Sequence, residues 1–371
     1  MQKVIACILL LILNSSSFSQ TATELISKVQ LAQQSLKTAS YRLIRSDTFV
    51  TGQTRIITGE ARMRSLPNDS LFGFSFWGKR DSIERETIYD GHTIFQIDHA
   101  KKTYDLSSSP SIIPHYLGSP GGQMIMGDLV RLDTSKATGF RIGQDDQFYY
   151  LTILLPDISE YDVIKRSKLV TIDKKTMLPF GVKSHQETLG KIQDLNYQIK
   201  DVRINDASTA YDFSKERVPE NYSAEKREVN KQLQSLRDKA LPSFTLNSFK
   251  SGSVSTDQFK DKVVLLDFWE VWCGPCIASM PKVQSLYEKY KDKGFEVYGM
   301  MSEKEQLETA RLMIEKRKIS FPMLIGNKDV LKDFGVNAVP TYVLVNRKGK
   351  VSFISEGFSE ELEAEIRKNL E

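Results

Sequence analysis

Residues 263–276 read Val263-Val264-Leu265-Leu266-Asp267-Phe268-Trp269-Glu270-Val271-Trp272-Cys273-Gly274-Pro275-Cys276. The apolar run over 263–269 reads as a strand, and Pro275 then marks the first turn of a helix, where its missing N–H would have had no partner. Cys273 sits at the handover, so the unpaired N–H groups of that first turn face its sulfur. Cys276 lies three residues on, on the same helix face, and can close a ring with it. A thiolate attacks disulfides and a thiol does not, so a cysteine at a helix start is suited to the task. The pair therefore reads as a redox dithiol, with Cys273 the exposed attacker and Cys276 the buried resolver. Half a zinc site is the alternative. A structural site needs about four ligands, and His92, His99, His115 and His185 are scattered elsewhere in the chain.

Beyond the cysteines, the pattern gives a helix over 275–291, a strand over 295–301 and a helix over 304–316. A short strand over 323–325, a helix over 329–334, strands over 341–345 and 351–355 and a last helix over 360–370 complete it. Ser302-Glu303-Lys304-Glu305 has capping-box spacing, and Asn346-Arg347-Lys348-Gly349 turns a hairpin. A β-α-β start with a β-β-α finish is the element order of thioredoxin. The 264–269 run, Trp272-Cys273-Gly274-Pro275-Cys276, Pro281 and Val339-Pro340-Thr341 are together similar to the active-site frame of thioredoxins. The opening Leu241-Pro242-Ser243-Phe244 and the extra strand and helix over 295–316 resemble the exported TlpA/ResA subfamily of thiol–disulfide oxidoreductases.

That resemblance covers residues 241–371 and implies an α/β thioredoxin fold there. It implies that Pro340 is cis and packs against the disulfide, leaving the backbone of Val339 to hold an incoming strand beside Trp272. Asp267 falls where thioredoxins keep a buried acid. A carboxyl removed from water favours its neutral form and can take the proton of Cys276. Three positions depart from the relatives. Gly299 stands where a Lys usually faces that acid, and Ser279 where a Glu often follows the second cysteine. Glu270 replaces a small residue; it is expected to point to solvent, with like-charge repulsion on Cys273 as the alternative.

With 371 residues the chain is long enough for two domains. Residues 23–38 have helical spacing of Leu25, Ile26, Val29, Ala32 and Leu36. Strand patterns follow over 41–50, 59–66, 71–77, 87–98, 148–155, 168–172, 182–187 and 191–202, with turn signals such as Asp90-Gly91 between them. Residues 123–132 read as a short helix. This is an α+β arrangement, one helix against an antiparallel meander. Ile172-Asp173-Lys174-Lys175-Thr176-Met177-Leu178-Pro179 and the strand after it resemble the late strands of LolA-like half-barrels, which cradle acyl chains or peptides. The likeness spans residues 22–215 and implies an apolar ligand or a peptide there. Phe72, Phe74 and Phe76 alternate onto one face with Trp77 on the other, as sheet core or, alternatively, as the lining of such a cavity. Residues 216–240 read as a charged linker, with a solvated helix over 224–239 in which Glu228 and Lys231 are spaced to pair.

The 51 basic and 47 acidic residues are spread without a stripe of one sign, which argues against nucleic acid as a partner. Lys3, the apolar stretch over 4–13 and Ser17-Phe18-Ser19 form a secretory signal over residues 1–19, cut after Ser19. Export places the protein in the periplasm, where disulfides persist, and removes Cys7, leaving only Cys273 and Cys276. The expected function is a thiol–disulfide oxidoreductase that reduces protein disulfides, with neither metal nor organic cofactor. The family likeness implies a membrane electron donor. A lipid, lipoprotein or peptide carrier with an accessory redox domain is the rival from another class, and a thiol peroxidase is a third reading.

Overall fold

The computed structural model describes residues 21–158, 162–225 and 230–371. The expected export signal, with Lys3, Cys7 and Ser19, lies outside them. No helix among the described residues is long and apolar enough to cross a membrane.

A first helix, Ala22–Ser35, starts on a capping box in which Thr21 and Glu24 satisfy each other's backbone N–H. Its buried Leu25, Ile26 and Val29 pack on one face of a twelve-stranded sheet. Apart from one short parallel pair at an edge the sheet is antiparallel, and its two halves are joined by pairing of the strand Thr38–Thr48 with the strand Lys191–Ile204. Phe74 and Phe76 are core on the helix side, while Trp77 packs with Ile88, Phe95, Ile97 and Phe213 on the other. The expected helix over 123–132 is instead two 3-10 turns, Gly122–Met124 and Gly127–Leu129. Tyr41 and Gln33 hold them: the Tyr41 hydroxyl accepts the N–H of Met126, and the Gln33 amide spans the carbonyl of Asp128 and the N–H of Leu132.

The second sheet has seven strands, ordered Ser253–Ser255, Thr245–Ser248, Met323–Ile325, Phe295–Met301, Val263–Phe268, Thr341–Val345 and Val351–Glu356. The central strand, Val263–Phe268, is parallel to Phe295–Met301 and antiparallel to Thr341–Val345. Alternation divides its side chains between two cores. Val263 and Leu265 lie under the helices Gly274–Tyr290, Leu307–Lys316 and Leu362–Leu370; Val264, Leu266 and Phe268 lie under Lys328–Phe334.

The solvated helix expected over 224–239 does not form. Ser223–Ala224 instead pairs as a short strand beside Thr103–Ser107, and the only helix in that stretch among the described residues is Lys231–Gln234. Leu233 there is fully buried against Phe244 and Phe334. Leu233, with Leu236 half-buried beside it, docks the segment among its many charges, so the pattern of charge misled. Glu228 lies outside the described residues. The two sheets also touch elsewhere. Leu189, at the tip of the hairpin between Pro179–Thr188 and Lys191–Ile204, packs on the core beneath the dithiol helix. Beside it the Lys191 ammonium donates to Thr309 Oγ1 at 2.9 Å, and Asp162 faces Lys316 at 4.0 Å.

Candidate active site

The central strand ends at Phe268, and Trp269 stays tied to the neighbouring strand through its N–H to the Met300 carbonyl. The chain then turns: the Cys273 N–H donates to the Glu270 carbonyl at 3.0 Å. Cys273 is the N-cap of the helix Gly274–Tyr290, and its Sγ accepts the Cys276 N–H at 3.2 Å. The sulfur thus stands in for the side-chain oxygen that ordinarily caps a helix, in the place where a negative charge is most favoured. Cys273 and Cys276 are joined as a disulfide.

Both cysteines are covered, at 3% and 2% exposure, so the expected contrast of an exposed Cys273 and a buried Cys276 is not seen in the disulfide form. The bonded sulfurs lie against each other and against the sheet. Capping, rather than exposure, distinguishes them. Trp272, between the turn and the dithiol, is 56% exposed. The Val339–Pro340 peptide is cis, with Pro340 buried and Val339 half-buried against the core that holds both cysteines.

Asp267 is 2% exposed and faces the dithiol helix, paired in register with Gly299 on one side and Tyr342 on the other. Its Oδ1 has no hydrogen-bond partner among the described residues. Burial, with no opposing charge, pushes its carboxyl up to about 7. Tyr342 shares a 2.7 Å hydrogen bond with Ser279, whose hydroxyl also reaches the carbonyls of Pro275 and Cys276. Tyr342 escaped the sequence reading, although alternation from Pro340 would have put it on the face of Asp267. A side chain at Gly299 has no room: a Cβ there would stand 2.2 Å from Met323 Sδ and 3.1 Å from Trp269 Nε1.

Two expectations are corrected at this site. Glu270 does not point to solvent; it is 4% exposed. Its Oε1 accepts both the N–H of Ser302 at 2.8 Å and its hydroxyl at 2.6 Å. Ser302 is thereby taken from the expected capping box, and the following segment opens as a 3-10 turn, Lys304–Gln306, before the helix Leu307–Lys316. The histidines stay remote from the cysteines: His99 pairs with Glu86 and His185 with Asp194, both on the first sheet.

A disulfide at the start of a helix, above a buried acid and on a sheet of this order, defines a thioredoxin-fold redox protein. The redoxin family model matches residues 236–370. Thiol-disulfide oxidoreductase ResA of Bacillus thuringiensis subsp. konkukian (strain 97-27) is 31% identical over 133 residues, covering 35% of this chain and 76% of the relative. Thioredoxin-like protein YneN of Bacillus subtilis (strain 168) is 31% identical over 131 residues, covering 35% and 77%. The crystal structure of the thioredoxin domain of a thiol-disulfide oxidoreductase from Bacteroides vulgatus is 29% identical, covering 36% of this chain and 98% of that one, with a TM-score of 0.34. Over its C-terminal third the chain belongs to the redoxin family of thiol–disulfide oxidoreductases. The family match begins at residue 236, so the LolA-like likeness of residues 22–215 stands on the sequence reading alone.

Proposed function

We propose that the protein is an exported reductase of protein disulfides that works through Cys273 and Cys276. In the reduced form the Cys273 thiolate attacks a substrate disulfide; one substrate sulfur leaves as a thiolate and takes a proton, and the other is held in a mixed disulfide. Asp267 takes the proton of Cys276, whose sulfur then attacks Cys273 and releases the second substrate thiol. Two electrons pass to the substrate, and the Cys273–Cys276 disulfide is left to be reduced by a dithiol donor, for which the family likeness suggests a membrane protein. Trp272 and the backbone of Val339 are the surfaces we assign to the substrate strand, with Pro340 holding Val339 in place. The first sheet serves to choose the substrate.

The observation that carries this reading is the Cys273 sulfur capping its own helix, directly linked to Cys276 and over the buried Asp267. Gly274-Pro275 between the cysteines matches thioredoxin, whose poise lies roughly 90 mV below that of protein disulfide isomerase, about 4 kcal/mol for two electrons. The test is insulin reduction by full-length protein with dithiothreitol as donor. The wild type should outrun dithiothreitol alone, and Cys273→Ser should fall to the background rate; a wild type no faster than background would refute the assignment. Equilibration with glutathione decides direction, since a potential near that of an oxidase would reverse the proposed flow.

A further inference from the structure

Thiol–disulfide exchange makes no use of Glu270, although its carboxyl is buried on the turn that leads into the attacking cysteine. Its two hydrogen bonds come from neutral donors on Ser302, and Oε2 is buried with no partner among the described residues. Such an oxygen costs stability rather than adding to it. Its backbone carbonyl closes the turn that carries Cys273, and the ends of a turn of this kind lie within about 7 Å of each other. Of the titratable groups, Glu303 beside Ser302 acts on it directly, while Asp267 precedes it by three positions in the chain and the two cysteines follow it by three and six. Burial raises the carboxyl above its ordinary range, and the charge of Glu303 adds in the same direction.

We propose that Glu270 is a positioning residue that makes the dithiol more strongly reducing: pinned by Ser302 at the head of the Cys273 turn, its carboxylate opposes negative charge on the Cys273 sulfur. The helix start and Glu270 thus act in opposite senses on one atom. Stabilising the thiolate stabilises the reduced pair and makes a protein more oxidising; opposing it does the reverse. This inference rests on the dithiol reading of the site and adds a residue that sets its potential.

The experiment uses the full-length protein with Glu270→Gln and Glu270→Asp. Two quantities are read: the pH midpoint of Cys273 alkylation in the reduced protein, and the equilibrium of the pair with glutathione. Glu270→Gln should lower the midpoint by about half to one pH unit. It should shift the equilibrium about three- to tenfold toward the reduced protein, roughly 15–30 mV. Glu270→Asp, which keeps the charge, should stay close to wild type. Unchanged values in Glu270→Gln, or equal shifts in both variants, would overturn the proposal, the second because shape rather than charge would be responsible. Should Glu270→Gln not fold, Ser302→Ala takes its place: with a donor lost the carboxyl ionises less readily, so the midpoint must again fall, and a fixed midpoint refutes the idea. A wild-type pair that fails to equilibrate with glutathione would sink the dithiol reading itself. A pair that cycles normally but ignores residue 270 would sink only this inference.

Discussion

Asp267 carries its function and its cost in the same carboxyl. Folding holds it at about 7, whereas in an unfolded chain it titrates at roughly 3.9. Between those values the folded protein keeps a proton that the unfolded chain has released. The cost of ionisation is therefore absent below about pH 4, and stability is lost as pH rises through about 7. A gap of about three pKa units bounds the loss at about 4 kcal/mol. Asp267→Asn, neutral at every pH, should stabilise the oxidised protein against urea by about 1–4 kcal/mol at pH 8 and give almost nothing at pH 4. The same variant should slow release of a mixed disulfide about a hundredfold at neutral pH. A gain in stability equal at both pH values would show that ionisation is not the cause. Cys273 and Cys276 could be picked out from sequence because strand, turn and helix start are local and place them through spacing, and Asp267 through the resemblance to thioredoxins. Glu270 could not be placed that way. Its environment is made by Ser302, thirty-two positions away, and nothing in the local pattern says which of two facing loops will supply a partner.

At the scale of elements, Gly299 marks the closest approach to the strand beside the central one. The strand Phe295–Met301 runs so close beneath Met323 and Trp269 that even a methyl group would collide, and both neighbours are buried. Gly299→Ala should cost about 1–3 kcal/mol in urea unfolding, by overpacking. Met323→Ala in the same chain should recover part of that cost; a lack of coupling between the two would contradict the packing account. The strongly patterned elements were legible to within a few residues: Phe295–Met301, Met323–Ile325 and Thr341–Val345 all appear as their apolar runs indicate. Five strands escaped, Thr103–Ser107, Gly139–Gln144, Ser223–Ala224, Thr245–Ser248 and Ser253–Ser255. They are short and polar or lie at sheet margins. Gly139–Gln144 and Ser253–Ser255 form sheet edges, where burial imposes little alternation. The stretch 87–98 divides at Asp90-Gly91 into Arg85–Tyr89 and Ile94–Asp98, as the turn signal there required.

For the whole molecule, we propose that the redox half is a separable domain whose lower boundary lies earlier than residue 241. Asn230 donates to the Gly335 carbonyl at 2.7 Å, Leu233 is fully buried, and the Asp238 N–H binds the Val351 carbonyl at 2.9 Å. A fragment of residues 230–371 should fold and reduce insulin at near the full-length rate. A fragment of 241–371, without Leu233, should be less stable by about 2–5 kcal/mol. Equal stability of the two would return residues 230–240 to the linker. Contact between the halves through Leu189, Lys191 and Asp162 is narrow, which fits a first sheet that chooses substrate without sharing in the chemistry. The claim on which all of this depends is that Cys273 forms the bond to substrate and Cys276 breaks it. Trapping tests it most directly: full-length Cys276→Ser, reduced and then mixed with a disulfide-bonded protein, is examined by intact mass and peptide mapping. The account predicts a one-to-one mixed disulfide at Cys273 that dithiothreitol releases and that Cys273→Ser cannot form. No adduct with Cys276→Ser, together with a stable adduct at Cys276 in Cys273→Ser, would contradict it.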